Sequence, residues 1–330
     1  MSLLEVNNLS TSFFTEKGEI KALRNVSFNL EKGKILGIVG ESGSGKSVTV
    51  YSILGLLPNS AKVVGGSVKF LGEELIGAPD NVMQKIRGNK ISIIFQDPMT
   101  SLNPTYTVGK QLTEAILLHT DMTKYEASER AEEILKMVNI SDVKRRMKQY
   151  PFELSGGMRQ RIMIAMALAT EPDILIADEP TTALDVTIQA SILDLMSSLQ
   201  KRLGMSIIMI THDLGVIARM CDEVIVMYAG SIAERGSTQQ IFYNPSHEYT
   251  KGLLRSIPTP ESVGKKLNAI RGNVIELSNI PDGCPFMPRC DEAMNICKIK
   301  NADVLEIEKN HTARCWMNQK KLFFNSNGEF

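Results

Sequence analysis

The chain has 330 residues, and its 37 Lys and Arg are balanced by 37 Asp and Glu. That balance gives no electrostatic case for a nucleic-acid partner, and the length suits one large domain with an appendage, or two domains. The longest apolar stretch, Ile162 to Ala169, falls far short of the ~20 residues a membrane span needs, so any work at a membrane would pass through partners.

Met1 to Glu5 carries neither the basic region nor the apolar core of a signal peptide, which makes the cytosol the expected compartment. Leu4 to Leu9 and Ala22 to Leu30 alternate as half-buried strands should, and the Thr15 to Gly18 turn joins them into an antiparallel hairpin. Phe13 and Phe14 sit at its tip, where an aromatic ring either stacks on a purine or simply packs. Lys34 to Val39 is an apolar run of the buried parallel-strand type.

Gly40-Glu41-Ser42-Gly43-Ser44-Gly45-Lys46-Ser47 follows, a full match to the G-x-x-x-x-G-K-[ST] phosphate-binding pattern. Lys46 to Leu57 reads as a helix, so the pattern sits between a strand and a helix. A helix N-terminus presents N–H groups and a partial positive charge, and polyphosphate can be held there largely by backbone. Gly40, Gly43 and Gly45 let the loop curl around the anion, with Ser42 and Ser44 between them. Lys46 is placed to reach the terminal phosphates, and the Ser47 hydroxyl to ligate Mg²⁺.

Pro58 to Gly66 reads as a loop and Gly66 to Leu71 as a strand. Ile91 to Phe95 is a buried strand delivering Gln96-Asp97-Pro98 at its C-terminal end, where ligands of open α/β sheets gather. Residues 97–170 have no convincing strand pattern and are expected to form a helical subdomain. Helices are predicted there over Thr107 to Leu118 and Lys124 to Val138, with Thr123 as an N-cap, and another follows Arg161 and runs through Ala169. Asp173 to Ala177 is the next strand, ending in the carboxylate pair Asp178-Glu179. Asp178 suits the Mg²⁺ shell, and Glu179 suits polarising a water for attack on the γ-phosphate. A helix over Asp185 to Leu203 and a strand over Ser206 to Ile210 lead to His212, again at a strand end.

Glu223 to Met227 and Ser231 to Glu234 read as closing strands, followed by helices interrupted at Asn244-Pro245 and then a proline-rich tail. The shift in composition near 255 divides the chain into expected domains 1–255 and 256–330. Cys221 reads as an ordinary buried thiol, whereas Cys284, Cys290, Cys297 and Cys315 cluster in the tail. In a reducing cytosol such a cluster points to metal rather than disulfides.

Leu154-Ser155-Gly156-Gly157-Met158 resembles the LSGGQ signature of ABC-transporter ATPases, with Met158 in place of Gln. With Gly40 to Ser47, Gln96, Asp178-Glu179, Ala183-Leu184-Asp185 and His212, the resemblance covers residues 1 to about 240. It implies an α/β fold, a P-loop NTPase of ABC type with a RecA-like parallel core sheet, an antiparallel β subdomain and an α-helical subdomain. It implies ATP and Mg²⁺, with two such domains paired head to tail and each ATP between the P-loop of one and the signature of the other. Ser155, Gly156 and Gly157 would then contact the partner's γ-phosphate. Glu179 would be the catalytic base, His212 a γ-phosphate contact, and Gln96 the sensor of Mg²⁺ and the attacking water. Ser47, Gln96 and Asp178 would serve Mg²⁺, and Asp185 would link the two halves. Phe13 aligns with the adenine-stacking aromatic, with Phe14 an open alternative. Val48 stands where many members carry Thr, which removes one hydroxyl and keeps the backbone N–H.

Asn244 to Leu254 and Gly283 to Cys290 look like the C-terminal extension of ATP-binding subunits from dipeptide, oligopeptide and nickel importers, and Tyr150-Pro151 is similar to the same group. The four tail cysteines have five, six and seventeen residues between them and no C-x-x-C knuckle, which argues against a zinc ribbon. The resemblance implies a [4Fe–4S] cluster on Cys284, Cys290, Cys297 and Cys315, with zinc or unliganded thiols as alternatives. The leading reading is an ATPase powering peptide uptake from the cytoplasmic face of the membrane, or nickel uptake by a relative of the same group. Its partners would be a second ATPase subunit, two transmembrane permease subunits and, indirectly, an extracytoplasmic solute-binding protein. A soluble ABC ATPase acting on nucleic acid or ribosomes is the rival reading, although the chain has neither a tandem cassette nor a coiled-coil insert. A redox sensor with a vestigial ATPase is disfavoured, because every catalytic position is intact.

Overall fold

A computed structural model describes residues 2–96, 101–182, 184–258 and 269–319. Asp97, Pro98 and Ala183, singled out above, lie outside the described residues. The strands in chain order are β1 (Ser2–Thr15), β2 (Gly18–Glu31), β3 (Ile35–Val39), β4 (Ala61–Phe70), β5 (Glu73–Glu74), β6 (Ile91–Ile94), β7 (Ile174–Asp178), β8 (Ser206–Ile210), β9 (Glu223–Tyr228), β10 (Ser231–Ser237), β11 (Leu305–Glu308) and β12 (His311–Ala313). The helices are α1 (Lys46–Leu54), α2 (Asp80–Ile86), α3 (Val108–His119), α4 (Lys124–Met137), α5 (Val143–Arg146), α6 (Gly156–Ala167), α7 (Val186–Leu203), α8 (Leu214–Met220), α9 (Thr238–Tyr243), α10 (Glu248–Arg255) and α11 (Asn295–Ile299). None of the described helices is long and apolar enough to cross a membrane.

The chain divides into two compact units. One comprises Met1–Leu3, Leu30–Ile35 and Gly77–Ile210; the other comprises Leu4–Asn29, Leu36–Ile76 and Thr211–Phe330. In the first, β6, β7 and β8 run parallel, with Ile94 beside Ala177 and Asp178 beside Ile210. Every residue of β7 and β8 is buried, which is why these strands are continuous apolar runs. The helices α3, α4 and α6 pack on one another, and each has an N-cap side chain: Thr107, Thr123 and Ser155. Thr123 and Glu126 form a reciprocal capping box, so α4 starts where its sequence directs.

In the second unit β2, β1, β4 and β5 form an antiparallel sheet, while β3 pairs parallel with β9. The stretch from Pro58 to Gly66, expected as a loop, is strand from Ala61 onward. Its glycines mark a bulge rather than a break: the β1–β4 register shifts between Asn7 and Ser10, and a Cβ on Gly66 would lie 2.6 Å from the Asn8 carbonyl oxygen. Helix α1 ends three residues short of the expected Leu57, because Gly55 adopts the left-handed conformation that closes a helix.

The proline-rich tail contributes to this unit's sheet. Strand β12 pairs antiparallel with β10, and β11 with β12. Fully buried Glu234 on β10 accepts hydrogen bonds from the Ser246 and His247 N–H groups and lies 2.8 Å from Nε2 of fully buried His311 on β12. One carboxylate therefore ties the start of α10 to the last described strand.

Candidate functional site

The phosphate loop follows directly from β3. Gly40 has φ +154°, and a Cβ there would lie 2.3 Å from the Met227 carbonyl oxygen, so only glycine fits. Gly45, at φ +103°, caps α1 without any side-chain hydrogen bond, so no side chain of its own closes this helix end. Lys46 Nζ donates to the carbonyls of Gly40 (2.8 Å) and Glu41 (3.0 Å), curling its ammonium over the loop. Ser44 Oγ is buried without a hydrogen-bond partner among the described residues. An unpaired buried hydroxyl, a glycine cradle and an inward ammonium together suit a polyphosphate. Ser42 and Gly43 are exposed, and Ser47 and Val48 half-buried, on the same turn.

Phe13 and Phe14 lie near the end of β1, with Phe13 half-buried opposite Ala61 and Phe14 47% exposed. Thr211 donates its N–H to the Ile38 carbonyl (3.3 Å) and accepts from the Asp213 N–H, which holds exposed His212 between them.

The first unit carries the acidic residues. Asp178 ends β7 and is buried, while Glu179 follows at φ +48°, a left-handed conformation unusual for a residue with a side chain. The Glu179 N–H is anchored on the Ile210 carbonyl (2.9 Å). Its Oε2 accepts from Gln96 Nε2 (2.8 Å), 83 positions away in sequence, and from Thr182 Oγ1 (2.9 Å), three positions away. Thr182 had no signal in the sequence, since a threonine three residues past an acidic pair is unremarkable.

Ser155 caps α6, its Oγ accepting from the Met158 N–H at 3.4 Å, and Asp185 caps α7, accepting from the Ile188 N–H at 2.9 Å. The Ser155 hydroxyl is exposed and keeps its own proton to donate. Gly157 is buried against α7, where a Cβ would lie 3.0 Å from Ile188 Cγ2, and Gly156 is half-buried beside it.

The residues read for Mg²⁺, Ser47, Gln96 and Asp178, offer hydroxyl, amide and carboxylate oxygens, a donor set suited to a hard cation. The tail cysteines do not fit their expected role. No group of three or more His, Cys, Asp or Glu side chains among the described residues converges to hold a metal, which overturns both the [4Fe–4S] cluster and zinc on Cys284, Cys290, Cys297 and Cys315. All four are free, half-buried thiols. Burial pushes the Cys284 thiol up to about 11 and Cys290 up to about 12. Strand pairing and buried polar contacts hold the segment.

Two of those contacts reach the phosphate loop and were not anticipated. Arg289, between Pro288 and Cys290, forms a two-pronged ion pair with Glu41 (2.6 and 2.9 Å), and fully buried Tyr249 accepts the Glu41 N–H at 2.8 Å. Partners more than 200 positions apart leave no local trace in a single sequence.

The ABC transporter family matches residues 23–182, and the family of oligopeptide/dipeptide transporter C-terminal regions matches residues 233–297. The chain is 50% identical over 321 residues to the oligopeptide transport ATP-binding protein AppD of Bacillus subtilis (strain 168), covering 97% of this chain and 98% of the relative. It is 52% identical to the dipeptide transport ATP-binding protein DppD of the same organism, covering 97% and 96%. It is also 51% identical to the oligopeptide transport ATP-binding protein OppD of Salmonella typhimurium, covering 92% and 90%. Among solved structures, a dimeric bacterial ABC transporter cassette is similar at TM-score 0.64 and 31% identity, covering 71% of this chain and 98% of that one. A dimeric cassette in a post-hydrolysis state bound to ADP and Pi is similar at the same TM-score and 30% identity.

Proposed function

Because the chain belongs to the ABC-transporter ATP-binding family, as an ATPase related throughout to oligopeptide and dipeptide transport ATP-binding proteins, we propose that it powers a peptide importer. The observation that carries this is the pairing, in one chain, of an ABC cassette with an oligopeptide/dipeptide C-terminal region, at half identity over nearly the whole length.

In this reading Lys46 and the loop N–H groups hold the β- and γ-phosphates, and Phe13 stacks on the adenine. Ser47, Gln96 and Asp178 would hold Mg²⁺, which would supply charge neutralisation on the transferred phosphoryl group. Glu179 accepts the proton of the attacking water, and the Gln96 and Thr182 hydrogen bonds to its Oε2 hold the carboxylate for that role. His212 donates to the γ-phosphate.

The catalytic unit would be two cassettes paired head to tail, a second copy or a paralogue, with Ser155, Gly156 and Gly157 of one completing the site of the other and Asp185 linking them. Exposed Phe152 and Val186 flank Ser155 and Asp185 in sequence, apolar surface of the kind that such a contact covers. The helical segment would pass ATP-driven closure to two permease subunits at the cytoplasmic face of the membrane, supplied by an extracytoplasmic solute-binding protein. The antiparallel β sheet and the C-terminal segment would be standing parts of the cassette.

The test is uptake by the assembled transporter in vesicles. ATP-dependent accumulation of labelled dipeptides or oligopeptides is expected; nickel accumulation without peptide uptake would overturn the substrate assignment.

A further inference from the structure

The phosphate loop contains a carboxylate at Glu41, next to the glycine whose carbonyl holds Lys46. A negative charge in a polyphosphate cradle repels the ligand the cradle is built for. Arg289 answers it. Its Nη1 and Nη2 grip Glu41 Oε2 and Oε1 at 2.6 and 2.9 Å, and its side chain is only 5% exposed. The guanidinium is itself fixed, since Nε donates to the Arg271 carbonyl at 2.9 Å and the plane lies about the rings of Tyr228 and Phe286, 6.0 and 5.9 Å from their centroids.

The backbone of the same residue is held from the same side. Tyr249 OH accepts the Glu41 N–H, and its ring packs on Tyr228 and Phe286 with centroids 4.6 and 5.3 Å away. Tyr249 lies in the first turn of α10, whose start is pinned by Glu234, and Glu234 is paired with His311 on β12. A continuous set of buried contacts thus runs from the last described strand to the phosphate loop.

We propose that Arg289 is a positioning residue for ATP binding: the C-terminal segment neutralises Glu41 through it and fixes the loop in its phosphate-ready shape. This rests on the reading of Gly40 to Ser47 as the ATP cradle. It gives the C-terminal segment a direct part in nucleotide affinity. Glu41 and Arg289 form one unit, so the loss of Arg289 is harmful chiefly because it leaves the carboxylate uncompensated.

The experiment measures the affinity of the full-length chain for a fluorescent ATP analogue with Mg²⁺, without relying on turnover. Arg289→Gln is expected to weaken binding about tenfold, or about 1.4 kcal/mol. That loss should shrink as ionic strength rises. Arg289→Lys, which keeps the charge and loses the fork, should fall between. The double variant Glu41→Gln with Arg289→Gln should return to within about twofold of the parent, because no unpaired charge remains. Wild-type affinity in Arg289→Gln, or a double variant no better than Arg289→Gln alone, would overturn the proposal. Thermal melting of each variant identifies one that fails to fold, and Arg289→Lys then carries the comparison. Lys46→Ala is the control on the premise: if it binds like the parent, the cradle assignment fails, independently of Arg289.

Discussion

The phosphate loop and the signature turn both offer a helix N-terminus, and they are built in opposite ways. At the loop, Gly45 caps α1 with no side chain, Lys46 is buried over the turn, and Tyr249 and Arg289 brace Glu41 from behind. At the signature, Ser155 caps α6 with its own hydroxyl and stays exposed, as does Phe152 nearby in sequence. The first is furnished to hold a ligand within one chain, whereas the second is half of something. Hydrolysis in the proposed assembly therefore depends on a second cassette, and this contrast is open to direct attack.

The largest effect is expected from Glu179→Gln. The amide oxygen can still accept from Gln96 and Thr182, so the geometry survives while the base is lost. Turnover should fall about a thousandfold with ATP binding retained, read as phosphate release against nucleotide affinity. Unchanged turnover would remove Glu179 from its role.

A smaller loss, about ten- to a hundredfold in turnover, is expected for Ser155→Ala, which deletes one donor to the partner's phosphate. The sharper measurement mixes that variant with inactive Lys46→Ala. If the sites are shared head to tail, each mixed dimer has one site with both lesions and one with none, so mixing two poor enzymes should restore activity. Failure to complement in dimers known to be mixed would mean that the signature serves its own chain.

The smallest effect concerns the bracing itself. Burial pulls the imidazole of His247 down to about 4, against the opposing pull of Glu234 and Glu248, and its Nδ1 accepts the Tyr249 N–H as a neutral ring must. As pH falls below the unfolded value near 6.5, the unfolded chain takes up a proton that the folded chain refuses until about 4, so stability drops through that window. Between pH 7.5 and 5 the parent should lose about 2 kcal/mol more than His247→Asn, whose side chain still caps α10, seen as a larger drop in the thermal midpoint. Equal drops would place the histidine outside this balance.

Much of the candidate site was legible because it is local. A strand, a glycine-rich turn and a helix are written in consecutive residues, and so is an acidic pair closing an apolar run, which is why Gly40 to Ser47 and Asp178-Glu179 stood out. Single breakers misled where neighbours compensate: Gly65-Gly66 read as loop and lie in a bulged strand, since β1 supplies the missing pairing. The cysteines misled more seriously, because spacing along the chain says nothing about whether thiols converge.

By itself the sequence determined the family, the phosphate-loop and signature patterns and the apolar runs that form β3, β6, β7 and β8, all carried by short-range patterns of residue type. Only the tertiary structure decided what joins distant segments: the shared oxygen of Glu179, the β12–β10 pairing and the Arg289 grip on Glu41. Hydrogen bonds and ion pairs act over about 3 Å in space whatever the separation in sequence, and a single chain read in order does not record which of its residues will meet.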